Sequence, residues 1–451
     1  METVSQLAKL GLFDARVPRY TSYPTAPHFN NAVGSHHFAD WVAALPPDSD
    51  VSLYIHIPFC RRLCWFCACR TQGTSTLSPV ATYLETLKAE IDLLAAALPS
   101  GVKLSALHWG GGTPTLLSPE MMKDLAETVF RAIPLAESGE FSVEIDPNEI
   151  DDARLDALAE AGMSRASIGV QDFDPEIQKV IGREQSFEIT QAAVDGIRAR
   201  GVTSLNTDIL YGLPNQSRAK ITDSVQKLLS LSPDRVALYG YAHVPWMARR
   251  QTMIPSEALP TPEERLHLFD TARRLFLWDG YDEIGIDHFA RSEDSMSVAA
   301  RDGSLRRNFQ GYTVDPAPAL IGLGASAISR FPQGFAQNIS GTGDYTKAIR
   351  EKRFATGRGH IFAGQDLIRA RMIETLMCNF RIERAEIIEQ YGADPDLITA
   401  LFADAKAQFG QFVTVDATGL EIPPEGRPLT RIIAKAFDAY EMAKTGHSSA
   451  I

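Results

Sequence analysis

Between residues 50 and 290, short β-branched or apolar runs alternate with stretches of helical spacing, and this alternation restricts the possible fold more than any other feature of the chain. Residues 51–57, 104–109, 141–145, 165–170, 204–210 and 235–239 read as strands. The helical stretches are 82–98, 119–133, 151–160, 187–200, 218–231 and 262–278; in the first, Leu84, Leu87, Ile91 and Leu94 recur at helical spacing. A repeated βα unit implies a parallel sheet with helices packed outside it. Six such strands are too few to close an eight-stranded barrel unless later segments supply more.

The flanks differ in character. Residues 1–50 carry too few periodic apolar positions for a domain and read as an extension packed on the α/β core, contributing to its pocket. Residues 291–345 are rich in Gly, Ser and Asn, lack a period, and read as extended or looped structure near the site. A helical region starts at 366–380 and runs to about 408, 412–415 and 419–422 suggest a hairpin, and a last helix is expected over 429–444. The division predicted is an N-terminal extension over 1–50, an α/β unit with its following loops over 51–350, and a small, mainly helical, winged-helix-like domain over 360–451. At 451 residues and 45% hydrophobic content the chain can bury a large core.

The net charge of −12 argues against nucleic-acid binding, which needs clustered Lys and Arg, although a basic pocket for an anionic substrate can exist inside an acidic protein. No apolar run approaches the length of a membrane span, and residues 1–19 lack the apolar stretch of a secretory signal. A cytoplasmic protein is expected.

Four of the five cysteines, Cys60, Cys64, Cys67 and Cys69, fall within ten residues; the fifth is Cys378. Without a secretory signal, such a cluster reads as metal or catalytic chemistry rather than a disulfide framework. Cys60-x3-Cys64-x2-Cys67 directly follows a predicted strand. Three thiolates can hold three irons of an iron–sulfur cubane and leave the fourth open to a substrate, as open positions do in catalytic metal sites. Trp65 and Phe66 would exclude water. A zinc knuckle or a ferredoxin-type carrier are the competing readings, but no second cysteine pair exists to complete a zinc motif. Cys378 stands alone in an apolar helix and reads as a buried, inert thiol. The spacing leaves Cys69 as a fourth ligand, a site thiol or a packing residue.

Residues 53–60, Leu-Tyr-Ile-His-Ile-Pro-Phe-Cys, together with the run to Cys69, resemble the signature of radical S-adenosylmethionine enzymes. The extended C-x3-C-x2-C-x-C form resembles the oxygen-independent coproporphyrinogen III oxidases (dehydrogenases). That resemblance implies an incomplete six-stranded (β/α)6 barrel, a [4Fe–4S] cluster on Cys60, Cys64 and Cys67, and S-adenosylmethionine as cofactor, with two molecules per active site. Since a free iron is needed to chelate the cofactor, Cys69 is expected to be a catalytic thiol beside the site rather than a ligand. Tyr54 is expected to be a catalytic residue with it.

Trp109-Gly-Gly-Gly-Thr-Pro-Thr115 follows the second strand, where glycines let backbone approach a ligand closely. It resembles the family element that contacts the methionine end of the cofactor. Carboxylates at strand ends, Glu144 and Asp208, can accept ribose hydroxyls or an amine. By resemblance, Tyr54, Phe66, Gly111, Glu144 and Ile328 match a first cofactor site, and Gly112, Thr113, Gln171, Arg183, Asp208 and Ala242 a second. Asn148 departs from the pattern, where Arg is expected.

Coproporphyrinogen III carries four propionates, so its pocket should offer cationic and hydrogen-bonding donors. Arg19, in RYTSYPT, and Arg307 and Gln310, in RRNFQGYT, supply them and resemble family elements. His243 and His288 match more weakly. The resemblance implies oxidative decarboxylation of two propionates to vinyl groups by 5′-deoxyadenosyl radical chemistry, giving protoporphyrinogen IX for haem synthesis. A one-electron donor such as flavodoxin or ferredoxin is implied as partner, and a monomer is expected. The rivals are a haem-modifying enzyme of the same superfamily and a haem-binding chaperone; Cys69 and the Arg19–Thr25 segment favour the dehydrogenase.

Overall fold

The strand at Arg165–Gln171 shows how the sheet divides its two faces: Ala166, Ile168 and Val170 are buried, while Arg165, Ser167, Gly169 and Gln171 alternate with them on the other side. Ser204–Tyr211 repeats the pattern, with Leu205, Thr207 and Ile209 buried and Asn206 and Asp208 opposite. One face therefore receives helices and the other stays polar, as the two-residue period of a strand dictates.

The computed structural model describes residues 2–440. Its main sheet contains β1 (Asp50–Ile57), β2 (Lys103–Gly111), β3 (Leu135–Ile145), β4 (Arg165–Gln171), β5 (Ser204–Tyr211), β6 (Arg235–Gly240), β7 (Tyr281–Ile284), β8 (His288–Arg291), β9 (Leu320–Leu323), β10 (Ile328–Phe331), β11 (Gly334–Asn338) and β12 (Thr356–Ile361). The spatial order is β12-β11-β10-β9-β1-β2-β3-β4-β5-β6-β8-β7. β9 and β1 to β6 are parallel to one another. β8 and β7 at one end and β10 to β12 at the other are antiparallel. All six strands read from the periodicity are present.

Helices α1 (Ser78–Ala97), α2 (Pro119–Ala132), α3 (Asp152–Glu160), α4 (Phe187–Ala199), α5 (Arg218–Ser230) and α6 (Pro262–Trp278) follow β1 to β6. Their starts are written locally. Ser118, Ser186 and Ser217 each accept a hydrogen bond from the backbone N–H three residues on, and Thr261 and Glu264 form a capping box. Their apolar faces, with Leu87, Ile91, Leu125, Val129, Leu158, Val194 and Val225, share one core with Leu107, Val143, Ile168, Ile209 and Leu238 of the strands. Each such side chain contributes about 1.5–3 kcal/mol by leaving water.

The region 291–345 is more ordered than its composition suggests. It holds a helix (Ser295–Asp302), a small hairpin (Arg306–Asn308 with Gly311–Thr313), strands β9 to β11 and the start of a helix over Thr342–Arg350. β9 is four residues long and buried at every position, so it shows no alternation to detect.

A second core joins Leu12, Phe13, Val17, Tyr20 and Tyr23 to Met372, Leu376, Phe402, Phe409, Ile433 and Phe437. The C-terminal part comprises helices Asp366–Asn379, Arg384–Tyr391, Pro395–Phe409 and Thr430–Lys435, with a three-stranded sheet. The expected hairpin is there, as Thr414–Val415 with Gly419–Glu421, and Arg381–Glu383 adds a third strand. The last helix stops at Lys435 instead of running on, and 441–444 lie outside the described residues. The chain beyond it is taken up by the N-terminal segment: Tyr20 Oη donates to Asp438 Oδ2 at 3.0 Å and the Ala439 N–H to Tyr23 Oη at 2.9 Å. Among the described residues no helix is long and apolar enough to cross a membrane.

Glu90 on α1 ties that helix to the turn after β9, to β11 and to the helix over Thr342–Arg350. Its carboxylate, 1% exposed, accepts from the Gly324 N–H, Tyr345 Oη and Asn338 Nδ2, each at 2.7 Å. Burial outweighs these bonds and pushes its pKa up to about 7. As pH rises from about 4.5 to about 7, the unfolded chain releases this proton before the folded one, so the folded state loses relative stability over that window. Thermal unfolding of the wild type and of Glu90→Gln, which does not titrate, tests this. The difference in midpoint, wild type minus variant, should fall by several degrees as pH rises; a constant difference would contradict it.

Candidate active site

The loop that follows β1 is closed at its base by a short parallel pairing. Phe59 and Cys60 lie opposite Gln72 and Gly73, with the Gln72 N–H donating to the Pro58 carbonyl at 2.8 Å and the Thr74 N–H to the Cys60 carbonyl at 3.0 Å. Its apolar tip is anchored across the mouth of the sheet, where Trp65 and Phe66 pack against Ile177, Ile181, Leu210, Tyr241 and Ile254. Polar contacts hold its other side: Gln251 Nε2 donates to the Phe66 carbonyl at 2.6 Å, and Arg250 donates to the carbonyl and hydroxyl of Thr71, each at 3.1 Å.

The loop carries four thiols: Cys60 buried, Cys64 and Cys67 partly buried, Cys69 exposed. Burial pushes Cys60 up to about 11 and also raises Cys64. A hydrogen bond from the Cys69 thiol pulls Cys67 down to about 6, and giving that bond raises Cys69. The Cys69 N–H also points to Cys67 Sγ, at 3.4 Å. Cys69 thus serves Cys67 as a donor. Among the described residues, no three His, Cys, Asp or Glu side chains gather around a point that would suit a single ion.

The Gly110–Gly112 arm at the end of β2 runs against the loop. A Cβ at Gly112 would lie 2.5 Å from the Phe59 carbonyl oxygen and 3.0 Å from Cys60 Sγ, and one at Gly110 would lie 2.7 Å from Glu144 Oε1. Gly111 has φ +113°, which L side chains rarely adopt. The Gly111 N–H donates to Glu144 Oε2 at 3.0 Å, and His108 Nε2 lies 3.3 Å from Oε1. Burial opposes ionisation of Glu144, but the hydrogen bond and charge of His108 and the Gly111 N–H outweigh it, so its pKa lies below the usual value. His108 also stacks on Tyr54, whose Oη is 2.9 Å from His56 Nδ1.

Polar faces of β1 to β6 and β8 surround a lumen of about 620 Å3, into which Glu144, Asp208, Tyr239, His288 and Gln310 project. Asp208 is pushed up to about 6 by burial, although Asn206 Nδ2 donates to it at 2.9 Å. At the end of β4, Gln171 takes φ +70°, a conformation non-glycine residues hold only where the surroundings enforce it. Arg183 reaches the Gly169 carbonyl at 2.9 Å, Asp146 at 3.3 Å and Cys64 Sγ at 3.6 Å, while its Nε is buried without a partner. That unpaired donor beside the thiols, together with the glycine cradle, fits an anionic or zwitterionic group between them.

Tyr54, Gly111, Gly112, Thr113, Glu144, Gln171, Arg183 and Asp208 thus sit at or near the carboxyl ends of β1 to β5, with Phe66 in the loop above. Ile328 stands off to the side on β10, its backbone over Gly322, the register partner of Tyr54. Gln310 lines the lumen, whereas Arg19, Arg307 and Ala242 line a neighbouring cavity. Asn148 bonds to Asp146 and to the Glu184 carbonyl, each at 3.4 Å. Cys378 is buried, and burial raises its thiol pKa. His243 pairs with Tyr241 and Ser256, and His288 with Asp287 and Tyr239. Sequence reasoning missed His56 and His108; His108 shares the parity of Gly110 on β2, which alone could have placed it beside the glycine arm.

The Radical SAM superfamily model matches residues 54–228. The oxygen-independent coproporphyrinogen III oxidase of Paracoccus denitrificans (strain Pd 1222) is 65% identical over 451 residues, 100% of both chains. That of Escherichia coli (strain K12) is 38% identical over 442 residues, covering 96% of this chain and 95% of the relative. A solved structure of coproporphyrinogen III oxidase (HemN) from Escherichia coli, described as a radical SAM enzyme, superposes with a TM-score of 0.90 at 36% identity, covering 95% of this chain and 100% of that one.

Serine in place of Cys60, Cys64 or Cys67 should abolish the iron content and visible absorbance of the anaerobically reconstituted protein, since a hydroxyl is a poor iron ligand at neutral pH. Cys69→Ser should keep both and lose most turnover. Loss of iron in Cys69→Ser, or full retention in the other three, would contradict this division of roles.

Proposed function

The chain belongs to the oxygen-independent coproporphyrinogen III oxidases of the radical S-adenosylmethionine superfamily, and from that premise we propose how its residues divide the work. It is an oxidoreductase of porphyrin and haem synthesis that uses a [4Fe–4S] cluster and S-adenosylmethionine to convert coproporphyrinogen III to protoporphyrinogen IX.

Cys60, Cys64 and Cys67 would hold the cluster. Once reduced and loaded, cluster and cofactor supply a radical strong enough to take a hydrogen atom from an unactivated carbon. Gly111 and Glu144, with Tyr54, Phe66 and Ile328, would bind the cofactor molecule at the cluster. Gly112, Thr113, Gln171, Arg183, Asp208 and Ala242 would bind a second. Glu144, kept ionised by His108 and the Gly111 N–H, is suited to accept hydrogen bonds from hydroxyl groups. Trp65 and Phe66 close the loop over this face and exclude water. Cys69 holds its hydrogen bond to Cys67 and stays exposed on the cysteine loop, open to act as the catalytic thiol.

Arg19, Arg307 and Gln310 would grip the substrate's propionates. Each reacting propionate gives a hydrogen atom from its β-carbon to the cofactor-derived radical, then loses CO2 and passes one electron to a one-electron acceptor, and becomes a vinyl group. The observation that carries the reading is the passage of the glycine arm between Cys60 and Glu144, which brings thiol, backbone donors and carboxylate to one place.

The remaining organisation follows the same reading. The parallel strands β1 to β6 form an incomplete (β/α)6 barrel within 51–350. Residues 1–50 extend over its mouth, and the helices and small sheet of 360–451 make a winged-helix-like unit. A cytoplasmic monomer served by a flavodoxin- or ferredoxin-type electron donor fits this assignment.

Anaerobic incubation with reductant, S-adenosylmethionine and coproporphyrinogen III should yield protoporphyrinogen IX with two cofactor molecules cleaved per product. Haem binding without cofactor cleavage in the presence of coproporphyrinogen would overturn the assignment in favour of a chaperone.

A further inference from the structure

Beside the lumen lies a second cavity of about 380 Å3, where α6, the end of β6, the N-terminal segment and the residues around the last helix meet. Arg19, Arg265, Arg273, Arg307, Arg427 and Arg431 all line it. Asp270, Glu283, Asp287 and Glu425 line it too, but the two carboxylates nearest the guanidiniums are engaged. Glu283 takes two hydrogen bonds from Arg273, at 2.7 and 2.8 Å, and one from Arg427 at 3.3 Å. Asp287 Oδ1 lies 2.7 Å from His288 Nδ1, and Arg307 approaches it only to 3.9 Å.

Arg19 and Arg265 are held by uncharged groups, and Arg307 by the Tyr312 ring with Asp287 at 3.9 Å. Arg265 donates to the carbonyls of Gly212 at 3.3 Å and Tyr241 at 2.9 Å and lies over the Tyr211 ring. Arg19 donates to the Gly240 carbonyl at 2.6 Å, and Arg431 to those of Val17 at 2.6 Å and Pro18 at 3.1 Å. Arg307, its side chain 4% exposed, rests on the Tyr312 ring. Nε of Arg265 and both Nε and Nη1 of Arg307 are buried without a hydrogen-bond partner. Burial and the charge of Arg19 push Arg431 down to about 9, and burial lowers Arg265. Arg265 and Arg307, buried in one cavity with donors left over, are built for an anion that completes them.

We propose that this pocket binds a propionate of the substrate that is not decarboxylated, with Arg265 and Arg431 acting beside Arg19 and Arg307 as positioning residues. The inference rests on the function proposed above. Coproporphyrinogen III has four propionates and two react, so two must be held without reacting. The planar guanidinium fork matches a carboxylate. The pocket also stands apart from the place where reaction starts: no residue of the cysteine loop or glycine arm lines it, and Ala242 is its only residue among those assigned to the cofactors. An arm anchored here presents the opposite edge of the macrocycle to the cluster side.

The test uses the reconstituted holoenzyme under anaerobic conditions. Arg265→Gln and Arg431→Gln should retain cluster absorbance, raise KM for coproporphyrinogen III on the order of ten-fold or more, and release the mono-vinyl, three-propionate intermediate. Arg265→Lys should recover part of the loss. Inhibition by coproporphyrin III should weaken in the Gln variants, while that by its uncharged tetramethyl ester stays unchanged; a general structural defect would weaken both. On the wild type, a substrate with ethyl in place of both retained propionates should show a similar rise in KM, whether or not any variant folds. An unchanged KM for that analogue, or an unchanged preference for acid over ester in the Gln variants, would overturn the proposal, the latter leaving a free anion such as phosphate as the occupant. Failure of the wild type to convert coproporphyrinogen III at all would overturn the functional assignment instead.

Discussion

The site depends on the contact between the glycine arm and the cysteine loop. The Gly112 N–H donates to the Ile57 carbonyl and the Thr113 N–H to the Phe59 carbonyl, both at 2.8 Å, so the ends of β1 and β2 are locked just where each leaves the sheet. A side chain at Gly112 would strike the Phe59 carbonyl and Cys60 together, and no rotamer relieves a clash made at Cβ. Glu144 extends the lock to β3 through the Gly111 N–H. Three strand ends thereby become one unit, and the remaining loop contacts through Trp65, Phe66 and Thr71 only orient what this unit holds.

The same division of the strands that packs the helices creates the lumen. β4 and β5 bury Ala166, Ile168, Val170, Leu205 and Ile209 outward and turn Ser167, Asn206 and Asp208 inward. A filled barrel would carry bulky branched residues at those inward positions. Here they are polar, and Asn206 Nδ2 donates to Ser167 Oγ and to Asp208, each at 2.9 Å. Ser167, Asn206 and Asp208 satisfy one another, so this stretch of the wall stays polar without apolar side chains filling the lumen.

This explains what could be read from the chain and what could not. β1 to β6 and their helices were legible because strands such as β4 and β5 alternate, the helices carry apolar positions at helical spacing, and the starts of α2 to α6 are capped. β9 was not, because Leu320-Ile-Gly-Leu323 is buried on both faces and too short to show a period. The cysteine spacing and the three glycines were legible because their chemistry is local. His108 was hidden by lying within an apolar strand, where only its parity with Gly110 marks it. The guanidinium pocket left no local trace: Arg19, Arg265, Arg307 and Arg431 are far apart in sequence and lie in four unrelated contexts. Only two had neighbours that drew notice. Nor could the net charge of −12 reveal a basic interior.

The two halves of the site are also built by different parts of the chain. Thiols, glycine arm, Glu144 and Asp208 all come from β1 to β5 and the loops that follow them, and owe their positions to the sheet's hydrogen-bond ladder. The guanidinium pocket is walled by α6, the ends of β5 to β7, Arg19 and residues 424–431, and Arg431 bonds to the carbonyls of Val17 and Pro18 and thereby fixes the segment that carries Arg19. Tyr20 and Tyr23, from that segment, bond in turn to the chain beyond the last helix. The second core, which joins residues 7–23 to 372–437, therefore brings Arg19 and Arg431 together, while α6 and the hairpin after β8 carry Arg265 and Arg307. Loosening it would separate Arg19 from Arg431 and open the anion pocket while the sheet still held the cysteine loop in place. The sheet thus places the thiols and the glycine arm, whereas the pocket's arginines draw both on the sheet's far end with α6 and on the packing of the Arg19 segment against residues near the last helix.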